Sequence, residues 1–586
     1  MPTLDWIGKS KVVNHHLDVP YHVLVRKYSY DGTGRHEEDN GSENMIIHGD
    51  NLLALKSLLP QYEGRIKCIY IDPPYNTGNE GWVYNDNVND PQIRKWLGEV
   101  VGTEGEDLCR HDKWLCMMYP RLKLLHRLCA QDGCIAISIG IHEINNLVAV
   151  CKEMFADRQI MPVTVKTSGG KPSGSFNVTH EHIVFILPIG FKANPSSLSV
   201  NEESSPFHSM TLASFYQEER PNQAYPIYIN DEGQIVSCGK SLQTLIDEEL
   251  YEGEKKDYQF DYNNAPEGTT AVWPVSNKGL PCVWRQIADS TMEDWEKGYI
   301  KVIPQKSKKT KNKWSIQFLS DGIKQKIEAG EFKCRTISDD CPTIELIDYH
   351  TSGVNIPTIW NEKAFYTTKG TDQIESIFGS KTTFTYAKPM ELIQEILGRI
   401  SGDDSIILDS FAGSGTTAHA VLNMNKADGG NRKFILIEMM DYADTITAER
   451  VKRVIDGYGE GKKAVEGTGG HYSYYELGLP VFNGELLNEE IGEDEIRKYV
   501  YYTETRKPLA PRKPEEPAYM GTYMDVAYYF HYSQDEPTTL DRDFLKTIKT
   551  RVLDYVIYAD TCLLSEAELD RYHITFKKIP RDISRV

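Results

Sequence analysis

The sequence predicts an α/β protein built on a mainly parallel sheet, and three observations carry that prediction. Short apolar runs alternate with helical patterns through much of the chain. One such run, "CIYIDPPYNTGNE" (Cys68 to Glu80), ends in an acid, two prolines and a tyrosine. Another, "SIILDSFAGSGTTAHAV" (Ser405 to Val421), ends in a glycine turn and the start of a helix. Open α/β sheets hold ligands in the crevice outside the carboxyl ends of their strands, and both of these ends carry chemistry.

Taken in order, "NMIIHGD" (Asn44 to Asp50) reads as a strand and "NLLALKSLLPQY" as the helix behind it. "RIKCIYIDPPY" is the next strand. "MMYPRLKLLHRLCAQDG" reads as a helix with its proline in the first turn, followed by the strand "CIAISIG". "THEHIVFILP" (Thr179 to Pro188) is a further buried strand. From about Phe191 to Val354 the βα rhythm gives way to Asn, Ser, Pro, Tyr and Lys with short strands, the signature of an insert. The rhythm returns with "KPMELIQEILGRI", "SIILDSFAGSGTTAHAVLNMN", "KFILIEMM" and "TITAERVKRVIDGYG". A tyrosine-rich region follows, divided by the Pro/Lys linker Arg506 to Pro517. The expected organisation is therefore residues 1–43 as an N-terminal segment, 44–190 and 355–457 as two halves of one core, 191–354 as the insert, and 458–586 as a C-terminal region.

A length of 586 residues suggests about four domains, and 40% hydrophobic with 26% charged residues is ordinary for a folded protein. No apolar run approaches the roughly 20 residues that span a bilayer, and the first residues lack the apolar core of a secretory signal. The eleven cysteines form no C-x-x-C pair, which points to reduced thiols, a cytoplasmic protein and no metal site. The net charge of −20 speaks to solubility and leaves room for a local basic face. One such face is Lys301 to Lys326, with eight lysines and a single acid, and by itself it reads as a solvated loop.

In the glycine turn, Gly413 and Gly415 let the backbone approach a ligand, and the helix N-terminus behind them can hold an anionic group. The spacing is neither Walker A nor the three-glycine dinucleotide fingerprint. Asp409 ends that strand and Glu438 ends the next, where an acid can take the hydroxyls of a ribose. At Asp72-Pro73-Pro74-Tyr75, two prolines cannot sit inside a sheet, so they lie past the strand end. There they fix φ and leave carbonyls free. Asp72 and the Pro73 carbonyl can accept from an amino group and Tyr75 can stack on a flat ring, which together suit a heterocycle with an exocyclic NH₂. A rigid turn with a surface acid and tyrosine is the simpler reading of the tetrapeptide alone.

With these residues in view, the D-P-P-Y tetrapeptide resembles the motif of S-adenosylmethionine-dependent amino-methyltransferases, and "DSFAGSGTT" resembles their cofactor loop. The first lies N-terminal to the second, the permuted order of the β class of DNA adenine-N6 methyltransferases. Longer stretches resemble the modification (Mod) subunits of type III restriction–modification systems: "LDWIGKSKVVNHHLDVPY", "DPPYNTGNEGWVYNDN", "RHDKWLCMMYPRLKLL", "THEHIVFIL", "FAGSGTTAHAVLNMN" and "YADTCLL". The resemblance implies a Rossmann-like, circularly permuted methyltransferase fold, with the insert as target-recognition domain. It implies Asp72, Pro73, Pro74 and Tyr75 as the catalytic motif around a flipped-out adenine. It implies Asp50, Lys388, Asp409, Phe411, Gly413, Gly415, Thr416 and Glu438 around S-adenosyl-L-methionine, with Asp50 beside its adenine, Lys388 and Pro389 near its methionine end, and Glu438 on its ribose. Double-stranded DNA is the implied substrate, a homodimer the implied assembly, and a helicase–nuclease restriction subunit the implied partner.

One departure stands out. Family members often read S-I-D where this chain has Ser138-Ile139-Gly140, so no acid is available there and that strand end is given no role. "IHEINN" and "THEHI" are not H-E-x-x-H, and the two cysteines of "CRHDKWLC" have no zinc spacing. His15 and His16 read as structural, and Trp82 and Trp96 as core or as part of a loop over the flipped base. Two other roles stay open: a DNA-reading subunit that recruits an ATP-dependent nuclease, and an orphan epigenetic methyltransferase.

Overall fold

A computed structural model describes residues 3–77, 110–173, 175–195, 206–276, 278–330, 332, 334–338, 341–346 and 355–581. The chain divides into two compact units, one made of residues 1–198 with 353–586 and the other of residues 199–352.

The first unit is built on an eleven-stranded sheet. Its strands are β1 (His22–Asp31), β2 (Gly34–His36), β3 (Met45–His48), β4 (Ile66–Ile71), β5 (Cys129–Ile139), β6 (Arg158–Ser173), β7 (Phe176–Pro188), β8 (Ile359–Trp360), β9 (Ile406–Asp409), β10 (Lys433–Glu438) and β11 (His471–Pro480). The order across the sheet is β8-β6-β7-β5-β4-β9-β10-β3-β11-β1-β2. From β5 to β11 every neighbour is parallel; β6 and β7 on one side, and β1 and β2 on the other, add antiparallel pairs. The helices that matter below are α1 (Asn51–Tyr62), α2 (Arg110–Leu128), α3 (Ile144–Met154), α4 (Thr367–Phe378), α5 (Met390–Ile400), α6 (Thr416–Asp428), α7 (Glu449–Asp456) and α8 (Glu493–Thr505).

Both faces of the parallel strands are covered, which is why they read as continuous apolar runs rather than as alternating ones. Along β4, Ile69 and Ile71 pack with Ile135, Ile137 and the leucines of α1 and α2. Cys68 and Tyr70 turn the other way, onto Ile393 and Ile396 of α5, Val421 of α6 and Val451 of α7. The registers pair Ile71 with Ile137, Asp409 with Leu436, and Glu438 with His48. The residues that follow β3, β4, β5, β9 and β10 therefore emerge along one edge.

Three features depart from the sequence reading. Helix α2 spans Arg110–Leu128 among the described residues, so Pro120 lies inside it rather than in its first turn. The polar start "RHDK" hid that turn, and the Arg121 guanidinium donates to the Met117 carbonyl on the turn that the proline disturbs (2.7 Å). The sheet also reaches past the expected core segments, through β1 before residue 44 and β11 after residue 457. These two strands are rich in tyrosine and serine: Tyr28 stacks on Tyr474 (5.0 Å between centroids), and the buried Ser29 and Ser473 hydroxyls meet at 2.9 Å. Their polar composition disguised buried strands. The linker near residue 510 runs on to a four-stranded sheet of Tyr519–Tyr523, Val526–Phe530, Asp554–Ala559 and Ile574–Lys578.

The second unit consists of short antiparallel pairings around Met210, Tyr225, Ile227, Trp284, Trp295, Ile300 and Ile316. Its lysine-rich stretch forms the hairpin of Ile300–Pro304 with Trp314–Leu319. The buried Asn312 pins the turn by a two-way hydrogen bond to the Trp273 backbone (3.0 and 2.7 Å), while Lys306, Lys308, Lys309, Lys311 and Lys313 stay exposed. Among the described residues, no helix is long and apolar enough to cross a membrane.

Candidate active site at the carboxyl edge of the parallel strands

Strand β4 is apolar and buried except at the exposed Lys67 and stops before Asp72, where the two prolines end the ladder. The turn is then held from below. The buried Trp114 of α2 donates its indole N–H to the Pro74 carbonyl (2.7 Å). Asn76 adopts a left-handed backbone (φ 55°) and its amide donates to the Arg110 carbonyl (3.1 Å) and to the Glu143 carboxylate (2.5 Å). Glu143 is completely buried and also takes the His111 ring (2.6 Å) and the Asn146 amide (2.9 Å). The "IHEINN" stretch, which is no H-E-x-x-H motif, thus supplies the anchor of the turn.

Above the turn four ionisable groups converge. The Lys388 ammonium donates to the Tyr75 hydroxyl (2.7 Å) and lies 3.2 Å from Glu181. It also lies 3.1 Å from Asp72 Oδ1, an ion pair off the line that a hydrogen bond needs. The Tyr75 hydroxyl in turn donates to Glu181 (2.9 Å). Burial raises the Asp72 pKa, and Lys388 is the main influence opposing it. Burial pulls Lys388 the other way, but Asp72 and Glu181 outweigh it and keep the ammonium charged. Gly140, at the end of β5, has a steric part here: a Cβ added to it would stand 3.0 Å from the Tyr75 ring. The position without an acid is where the ring is admitted.

The second cluster surrounds the glycine turn. Asp409 accepts from the Phe411 N–H (3.0 Å) and the Thr417 hydroxyl (2.5 Å), and burial pushes its pKa up to about 7. Glu438 accepts from the N–H groups of Gly413 (2.8 Å) and Met440 (3.0 Å), and burial likewise pushes it up to about 7. Gly413 (φ 53°) and Gly415 (φ 80°) take left-handed conformations, and a Cβ at Gly415 would stand 3.1 Å from the Thr447 carbonyl. Asp50 caps α1, accepting from Leu52 and Leu53 (2.8 and 3.1 Å), and the Gly49 N–H donates to the Glu438 carbonyl (2.9 Å). Phe384 meets Tyr442 edge to face (5.5 Å) and would lie 3.5 Å from a Cβ at Gly413, giving this corner an aromatic wall.

The structure brings Asp72, Pro73, Pro74, Tyr75, Asp50, Asp409, Gly413, Gly415, Thr416 and Glu438 to one edge of the sheet. Lys388 divides its groups: its carbonyl receives the Thr416 hydroxyl (3.4 Å), while its ammonium belongs to the Asp72 cluster. Phe411 is 5% exposed and packs into the core. Trp82 and Trp96 lie outside the described residues. His15 and His16 belong to a helical turn whose His16 carbonyl accepts from Lys56 (2.9 Å). A cavity of about 220 Å³ lies elsewhere, against Tyr62, Arg65, Ile406 and Lys433, and holds none of these groups. Sequence reasoning missed Glu143, Glu181, Trp114, Phe384 and Tyr442; the "THEHI" and "IHEINN" stretches carried the two acids in plain view.

Residues 66–449 match the family model of the DNA methylases, and the chain belongs to that family. Its fold is the Rossmann-like methyltransferase fold, with the Asp72 strand ahead of the glycine-turn strand along the chain. The type III restriction-modification enzyme EcoPI Mod subunit of Escherichia phage P1 is 28% identical over 470 residues, covering 74% of this chain and 63% of that protein. The type II methyltransferase M.KpnI of Klebsiella pneumoniae is 27% identical over 419 residues, covering 68% of this chain and 81% of that protein. The type III EcoP15I Mod subunit of Escherichia coli is 26% identical over 497 residues, covering 78% of this chain and 66% of that protein. The chain thus spans less than two thirds of the EcoPI subunit's length.

Proposed function

We propose that the protein transfers a methyl group from S-adenosyl-L-methionine to N6 of an adenine flipped out of double-stranded DNA. The observation that carries this is the Asp72–Tyr75 turn with its Lys388–Glu181 support, standing on the same sheet edge as the glycine turn and Glu438. The residues around that turn fit the cofactor. Two left-handed glycines leave backbone room, and the Ser410 hydroxyl is buried without a hydrogen-bond partner among the described residues. Acids at Asp50 and Glu438 suit hydroxyl and amino donors, with Lys388, Asp409, Phe411, Gly413, Gly415 and Thr416 completing the surround.

When bound, S-adenosylmethionine supplies a methyl already activated on a sulfonium, so the protein mainly positions and stabilises charge. Glu438 takes ribose hydroxyls. Asp72 and the Pro73 carbonyl accept the N6 hydrogens and favour the developing N–C bond, while Tyr75 stacks on the base. Lys388 keeps Asp72 an acceptor by opposing the rise that burial causes. Flipping the base costs a few kcal/mol, which contacts elsewhere on the DNA must offset. The unit of residues 199–352 is the target-recognition domain in this reading, with the lysine hairpin on phosphates; phosphate contacts position but do not specify.

The likeness to Mod subunits supports a modification and specificity subunit of a type III system, acting in the cytoplasm as a homodimer with a helicase–nuclease partner. The test uses unmethylated genomic DNA, the purified protein and S-adenosylmethionine, followed by single-molecule sequencing. N6-methyladenine at one recurrent motif, on one strand, is the expected result. Absence of modification despite cofactor binding would overturn the reading in favour of a partner-dependent DNA reader.

A further inference from the structure

Six arginines are buried among the described residues, and five have a carboxylate within ion-pair reach. Arg121 lies 3.9 Å from Asp50, Arg399 pairs with Glu395 (2.7 Å), Arg432 with Asp428 (2.9 Å), Arg497 with Glu493 (3.6 Å) and Arg581 with Asp560 (2.6 Å). Arg450 is different. It is 0% exposed, and its hydrogen-bond partners among the described residues are all neutral: the Ser414 hydroxyl (2.8 Å), the Thr416 hydroxyl (2.7 Å) and the His419 ring (3.2 Å). Its Nε has no hydrogen-bond partner among the described residues. Glu391 attracts it through space only. Taking an ion out of water costs several kcal/mol, and the usual offset is a bonded counter-charge. Here none of the described residues supplies it.

The three groups that Arg450 touches belong to the glycine turn and the first turn of α6, a helix of 13 residues that starts at Thr416, behind Gly415, without a side-chain cap. The uncapped N–H groups there already form a positive pole. Arginine only donates, so the Ser414 and Thr416 hydroxyls must accept from it and direct their own protons elsewhere. Thr416 directs its proton to the Lys388 carbonyl (3.4 Å). His419 must accept too and stays neutral, its pKa lowered by burial and by Arg450. The Glu438 carboxylate, at the end of β10, accepts from the Gly413 N–H and gives the turn an acidic pole, whereas Asp409 is bonded to the Thr417 hydroxyl in the first turn of α6 itself. One pole is thus built for hydroxyl donors and positive charge, the other for an anion.

We infer that Arg450 is a positioning residue for the carboxylate of the cofactor's amino-acid end: it orients the Ser414 and Thr416 hydroxyls and adds its charge to the amino end of α6. The inference rests on the proposed use of S-adenosylmethionine and deepens it by assigning the two ends of that molecule to the two poles. Arg450 need not touch the ligand, because its charge acts through the turn it holds.

The test is calorimetric binding to the full-length protein, without DNA or turnover, of S-adenosylhomocysteine and of its decarboxylated analogue. Arg450→Met should weaken S-adenosylhomocysteine about tenfold or more and change the decarboxylated analogue by less than about twofold. Arg450→Lys keeps the charge and should stay within about threefold of wild type for both ligands. Thr416→Val, which removes one hydroxyl and leaves the arginine, should give a smaller loss of the same selectivity, and it serves if the methionine variant does not fold. Equal weakening of both ligands would reduce Arg450 to a structural support of the turn and overturn the inference, as would unchanged affinity for both. Failure of the wild type to bind S-adenosylhomocysteine would instead remove the cofactor reading itself.

Discussion

Two groups of acids, one half-buried and one buried, stand on the same edge of the sheet and are treated in opposite ways. Asp72 faces a cation, the Lys388 ammonium at 3.1 Å, which is shared with Glu181. Among the described residues Asp409 and Glu438 face none; they accept from backbone N–H groups and from the Thr417 and Tyr442 hydroxyls. Burial raises the pKa of all three, but only at Asp72 does a charge lead the opposition. The difference teaches that the Asp72 side arrives with its charge already answered, and the Glu438 side does not. The first suits an acceptor held ready for an amino group, the second a pocket that a ligand's hydroxyls and positive charge complete.

Breaking the first side should have the largest effect. Asp72→Ala is expected to lower methyl transfer by about 10²–10³-fold or more, while calorimetry finds cofactor affinity within about threefold of wild type. Lys388→Met should come next and should act through pH. It removes the main influence holding the Asp72 pKa down, so the acidic limb of the rate profile moves to higher pH, and Lys388→Arg restores most of the wild-type profile. A profile that scales down without shifting would detach Lys388 from the charge of Asp72.

The second side predicts a different signature. Glu438 has an ordinary value of 4.5 and is pushed up to about 7, so it ionises as pH rises through neutrality. Cofactor affinity should therefore strengthen between pH 6 and 8, and Glu438→Gln should weaken it about tenfold and flatten that rise. The linkage sign for the unliganded protein runs the other way. A carboxyl whose folded value is raised favours folding at low pH, and that contribution is lost as pH climbs towards 7. Glu438→Gln should then raise the unfolding midpoint at pH 8, measured by thermal melts without ligand. The smallest expected effect sharpens the first side: Gly140→Ala places a methyl 3.0 Å from the Tyr75 ring and should cost a few-fold in turnover with cofactor affinity unchanged.

Much of this was legible in the sequence, and the limit is a physical one. The strand ends at Asp72, Asp409 and Glu438 announce themselves locally, because apolar runs, prolines and glycines act over a few residues. Glu181 could not be assigned that way: it meets Lys388 across 207 residues of chain, and Lys388 meets Tyr75 across 313. Which strands become neighbours decides such contacts. Arg450 likewise sits in a plain amphipathic helix pattern, and its missing counter-charge exists only in three dimensions. Strands β1 and β11 escaped for another reason, since their tyrosines and serines bury by pairing with one another rather than by being apolar.

The division of labour between the two sides is the central claim, and a paired measurement on Asp72→Ala and Glu438→Gln tests it most directly: the dissociation constant for S-adenosylhomocysteine together with the single-turnover rate of methyl transfer at saturating cofactor. The account predicts that Asp72→Ala loses rate and keeps affinity, whereas Glu438→Gln loses affinity and recovers most of its rate once the site is filled. Parallel loss of rate and affinity in both variants would contradict it and make the edge a single undivided site.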